Sequence, residues 1–155
     1  MKKSIFILFI MTLLLASCDD MLEIEPTDAI SDTEAIKDKT GVNRAVTGAY
    51  NALQQTGSYG RYLVIVEDLA ADNLKWTGTT QDYGQIDNNQ IAAENTIVDG
   101  IWVSAYDCIN RVNNVLYRLP DISDLTGTER DTYEGEALFL RALCHFNLVS
   151  LFGGV

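Results

Sequence analysis

Two aromatic side chains, Trp76 and Tyr83, stand in a polar stretch, "LKWTGTTQDYGQIDNNQ", between Leu74 and Gln90. An aromatic face offered to solvent stacks on the C–H surface of a sugar ring, while amides or carboxylates beside it bind the hydroxyls. Asp72, Asn73, Gln81 and Asp82 supply such groups. Asp72, Asn73, Trp76, Gln81, Asp82 and Tyr83 are therefore the candidate ligand-binding residues. The competing reading folds the loop tryptophan back onto the domain as packing.

Catalytic and metal chemistry find little support. A glycosidase needs two carboxylates about 5–10 Å apart across a cleft. Glu67/Asp68 and Asp131/Glu134 are instead neighbours on helix surfaces. The chain contains no Gly-rich phosphate loop, nucleophile elbow or zinc-binding helix motif, so no enzyme activity, metal or cofactor is expected. The single histidine, His145, lies among Leu143, Phe146 and Leu148 and reads as a core residue. A net charge of −11 argues against nucleic acid and against electrostatic adsorption to anionic lipid.

The N-terminus carries a different chemistry. Lys2 and Lys3 precede an apolar run from Ile5 to Leu15. Eleven helical residues rise about 16 Å, half of a hydrocarbon core, so the run reads as a secretory leader rather than a membrane span. It ends in "LASC", the shape of a bacterial lipobox, with small residues before a cysteine whose thiol takes the lipid. Cleavage before Cys18 leaves 138 of the 155 residues, and loss of Lys2 and Lys3 takes the charge from −11 to −13. Several acyl chains anchor stably where one does not. Cys108 and Cys144 remain; an exported pair allows one disulfide, and their apolar surroundings equally allow two buried thiols.

Helical spacing organises the rest. Residues 18–31, with Pro26, read as a lipidated tether, and residues 32–155 as one helical region. Val42, Ala45, Val46, Ala49, Tyr50 and Leu53 form an amphipathic stripe with Thr40 as N-cap, and Gly48 within it lets another helix approach. "YLVIVEDLAADN" reads as a short helix, and Leu74 to Asn95 as a long loop without structure of its own. Thr96 with Asp99, and Thr128 with Asp131, resemble capping boxes. The first opens a helix that keeps apolar spacing to Pro120; Trp102 and Tyr106 on it read as core. The second opens a helix from Glu129 to about Phe152, apolar nearly all round from Ala137, and so expected to be central and buried with Phe146 in the core. Arg141 needs a partner on another helix, and Glu67 is the expected acid. Two long helices joined by a short loop make an antiparallel hairpin, and stacked hairpins make a helical-repeat unit.

Several segments together resemble a known family, the SusD/RagB-like outer-membrane lipoproteins. "LEIEPT" (22–27), "GAYNAL" (48–53) and "EDLAADN" (67–73) are similar to its successive early segments. Trp102, Tyr106, Ile109, Asn113 and Leu116 hold its W-x3-Y-x2-I-x3-N-x2-L spacing, and "GEALFLRALCHFNLVSLFGGV" resembles its most specific signature, with Cys144 and His145 where aromatics are common. The resemblance implies an all-α fold of tetratricopeptide-like antiparallel helix pairs with long polar loops. It also implies a surface-exposed, lipid-anchored outer-membrane protein that captures glycans or other nutrients and passes them to a SusC-like TonB-dependent transporter. Asp19 and Asp20 then look like the signal that sends the lipoprotein to the outer face. Family members are several times longer, so the chain is expected to be the N-terminal portion of such a fold, with its apolar last helix lacking part of its cover. The alternatives are a helical lipoprotein that docks a protein partner without binding sugar, and a non-functional truncated fragment.

Overall fold

The computed structural model describes residues 32–155, and every element among them is helical. The leader, Cys18, Asp19, Asp20 and the tether lie outside the described residues. The helices are α1 (Asp32–Ala35), α2 (Lys39–Ala52), α3 (Tyr62–Ala70), α4 (Gln81–Asp87), α5 (Thr96–Arg118) and α6 (Gly127–Phe152), with a 3-10 turn at Leu119–Asp121.

Caps set where the long helices begin, and each sits a residue or two before the one expected. Asp38, rather than Thr40, caps α2 by accepting from Gly41 N at 2.7 Å. Asn95, rather than Thr96, caps α5 through Ile97 N and Val98 N. Thr126 and Glu129, rather than Thr128 and Asp131, form the reciprocal capping box of α6. Each true cap has extended backbone, which lets its oxygen reach the free amides two and three residues on; the expected ones are already helical.

The long helices pack as an up-down-up trio. Trp102 meets Phe152, and Asn113 accepts from Arg141, so α5 and α6 run antiparallel. Gly48 O accepts from Arg111 at 2.9 Å and Ala49 O from the Cys108 thiol at 3.6 Å, which orients α2 against α5. What approaches Gly48 is thus a guanidinium rather than a helix backbone. Val42, Val46, Val112, Val115, Leu140 and Leu148 are the centre of the resulting core. A smaller core, of Leu63, Val66, Leu69, Tyr83, Ile86, Ile97 and Ile101, joins α3 and α4 to the first turns of α5. Gly57 allows the turn before α3 to lie directly against Gly100 and Ser104 of α5; a Cβ there would collide with both.

Three expectations about packing and pairing fail. Only one stripe of α6 is buried, Ala137, Leu140, Cys144 and Leu148. On the opposite side Phe139 is 61% and Phe146 64% exposed, Val149 is exposed with them, and so is His145. The helix is long and apolar enough to cross a membrane by length and composition, yet α2 and α5 cover only one side of it. Trp102 (38% exposed) and Tyr106 lie at the outer edge of α5, their rings 4.9 Å apart. Arg141 reaches the amide of Asn113 on α5 at 3.0 Å, not Glu67.

Candidate functional site

The segment expected to be a bare loop contains α4, a seven-residue helix with two different faces. Tyr83 and Ile86 turn inward onto the smaller core. Gln81, Gly84, Gln85 and Asn88, spaced at helical intervals, turn the other way.

Trp76 closes the opposite wall. Beyond α3 the chain reverses through Asp72, whose φ of 56° is left-handed, and Asp68 O accepts from Asn73 N and Leu74 N. The indole then rests on Tyr83, with ring centroids 4.6 Å apart and planes at 36°, and Tyr83 in turn meets Tyr62 of α3 edge-on. Gly78 lies so close to the six-membered ring of Trp76 that any Cβ would clash with it. Between these walls lies an open cleft of about 440 Å³. Trp76, Gly78, Thr79 and Thr80 border it on one side, and the outward residues of α4 with Gln90 on the other.

The cleft floor is held from α5. The side chain of Asn95, 1% exposed, caps α5 with its oxygen and donates its NH2 to Asp82 O at 3.0 Å and Gln85 Oε1 at 2.9 Å. Ala92 N also donates to Gln85 Oε1, which leaves the amide nitrogen of Gln85 uncommitted among the described residues. Asn88 donates to Gly84 O and keeps its own carbonyl oxygen available. The side chains of Thr79, Thr80, Gln81 and Gln90 make no hydrogen bond to other described residues. The Trp76 N–H is buried without an acceptor among them. The cleft thus offers neutral donors and acceptors beside an aromatic ring, and none of its lining residues is ionisable.

The six residues singled out from the sequence take distinct places. Trp76 and Gln81 border the cleft. Tyr83 is 8% exposed and supports Trp76 from beneath, so its ring is not offered to solvent. Asp82 faces α5, where its carboxylate accepts from the backbone N–H and the hydroxyl of Thr96. Asp72 and Asn73 lie in the turn after α3, outside the cleft, with Asn73 donating to Asp68. Sequence reading missed Thr79, Thr80, Gln85, Asn88 and Gln90. The i, i+4, i+7 spacing of Gln81, Gln85 and Asn88 was the available signal: a polar stripe marks a helix as an apolar one does.

Comparison with known sequences adds a family. A SusD-like family described as "Starch-binding associating with outer membrane" matches residues 20–155. SusD-like protein P38 of Formosa agariphila is 31% identical over 152 residues, covering 97% of this chain and 29% of that protein. SusD-like protein P25 of the same organism is 26% identical over 145 residues, covering 88% of this chain and 28% of that protein. The chain therefore spans less than a third of the length of these relatives. No solved structure matches it.

Proposed function

The chain belongs to the SusD-like family, whose description joins starch binding to association with the outer membrane, and on that premise we propose that it captures glycans in the Trp76 cleft. The observation that carries this reading is the lining: one tryptophan, threonine hydroxyls and side-chain amides, with no ionisable group. An indole covers the apolar face of a sugar, and amides pair with hydroxyls in either sense, since each is both donor and acceptor. A net charge of −11 works against anionic glycans. The ligand that fits is an uncharged, polyhydroxylated saccharide. With no carboxylate in its lining, the cleft can hold such a chain but has no acid–base pair to cut it.

The rest of the reading follows the sequence. Cys18 carries the lipid, Asp19 and Asp20 direct the protein to the outer face, and the bound glycan passes to a SusC-like TonB-dependent transporter. A Cys18→Ala variant is expected to leave the membrane fraction; its retention there would remove the anchor from the account.

One observation favours a second, protein-docking role. The outward face of α6 places Phe139, Phe146 and Val149 in a row, and apolar surface of that kind marks contact sites. Isothermal titration with a panel of neutral and uronate-bearing polysaccharides separates the two roles. Heat from neutral polysaccharides alone supports capture in the cleft. Silence across the panel would count against capture in the cleft.

A further inference from the structure

We propose that Cys108 and Cys144 form a disulfide that staples α5 to α6 when the chain folds in an oxidising compartment. The antiparallel register set by Trp102 against Phe152 and Asn113 against Arg141 brings Cys108 and Cys144 to the same level of the helix pair. Both thiols are buried in the larger core, on the facing apolar stripes of the two helices. Among the described residues the Cys108 thiol donates to Ala49 O. Neither borders the cleft, so glycan capture gives no reason for the pair. Packing alone gives none either, because alanine or valine fills such a helix contact without reactive sulfur. A family that associates with the outer membrane works outside the reducing cytosol, where adjacent cysteines become oxidised.

The reaction needs a thiol-exchanging disulfide as oxidant, supplied by the folding compartment or by oxidised glutathione in vitro. Cys108, once ionised, attacks the oxidant, releasing one of its sulfurs as a thiol and forming a mixed disulfide. Cys144 then gives up its proton and attacks Cys108 Sγ, releasing the second oxidant thiol. Two protein thiols are oxidised and one exogenous disulfide is reduced. Because both sulfurs are buried in the folded chain, the exchange belongs to folding, before the core closes.

The test uses the full chain carrying Cys18→Ala, exported to a bacterial periplasm and denatured with a maleimide reagent present. Without reductant neither thiol is expected to react, and a peptide joining Cys108 to Cys144 should appear, lighter by two hydrogens than the two thiol peptides together; after reduction both thiols should react. Cys108→Ala and Cys144→Ala should each expose one thiol regardless of reductant. Reduction should lower the melting midpoint by about 10 °C in the parent and leave both variants unmoved. If export yields too little folded protein, refolding the same chain in a glutathione redox buffer replaces it. Two reactive thiols in the unreduced monomer once denatured would overturn the proposal, as would cross-links that join separate chains.

Discussion

The two cores of this molecule are built on opposite principles. The trio of α2, α5 and α6 uses helices of 14, 23 and 26 residues whose apolar stripes interlock over several turns. The layer of α3 and α4 uses helices of 9 and 7 residues, with Leu63, Val66, Leu69, Tyr83 and Ile86 on their inner faces and Trp76 packed against them. Long helices bury enough surface to hold themselves in place. Short ones depend on side-chain hydrogen bonds from outside, and Asn95 provides them by capping α5 and gripping α4 with one amide. The amides and hydroxyls of the cleft lie in the second region, on the face of α4 that is not anchored to the core. The larger core lies in the first region, and the proposed recognition in the second.

The largest effect should come from the trio. Leu140 is fully buried between α2 and α5, and Leu140→Ala is expected to cost about 2–5 kcal/mol in urea unfolding. A loss below about 1 kcal/mol would mean that the trio is not the main source of stability. Next comes the joint between the regions. Asn95→Ala removes the cap and both ties to α4, for about 1–2 kcal/mol. Asn95→Asp keeps the capping oxygen and loses only the donor. It should leave α5 protected in hydrogen exchange while α4 exchanges faster, and equal behaviour of the two variants would break the distinction drawn between the regions.

Smaller effects mark the edges of the trio. The ion pair with Lys39 and the capping box with Thr126 hold the Glu129 carboxyl at a pKa of about 2, against an ordinary 4.5. Because the folded value is the lower one, this contribution is complete above pH 4.5 and is lost as pH falls toward about 2. Glu129→Gln should therefore flatten the acid limb of the stability curve over that window; an unchanged slope would show that the pair is solvated away. Smallest of all, Phe146→Ser on the outer face of α6 should change unfolding free energy by no more than about 0.5 kcal/mol. A larger loss would place that face in a packed interior.

Much of the first region was legible from the sequence and much of the second was not. Apolar spacing located α2, α5 and α6 because their stripes repeat over many turns. It could not say which side of α6 would find a neighbour: Leu140 and Phe146 are equally apolar in sequence, and only the placement of α2 and α5 distinguishes them. Cap positions slipped by a residue or two because Asp38 and Thr40, Asn95 and Thr96, or Thr126 and Thr128 are chemically similar candidates. The short α4 went unseen because Gly84 interrupts it and its apolar face is only Tyr83 and Ile86. For the same reason Trp76 could be singled out by its type, while Gln85 and Gln90 emerge only once the helix beneath them is in place.

The central claim is that the uncommitted amides of the cleft hold a neutral saccharide. Its most direct test is calorimetric titration of a neutral oligosaccharide into the parent chain and into the double variant Gln81→Ala/Gln90→Ala, whose side chains make no hydrogen bond to other described residues. The account predicts at least about a tenfold loss of affinity with an unchanged melting midpoint, equivalent to about 1.4 kcal/mol of binding energy. Equal affinity in the two proteins would place the saccharide elsewhere and contradict the account.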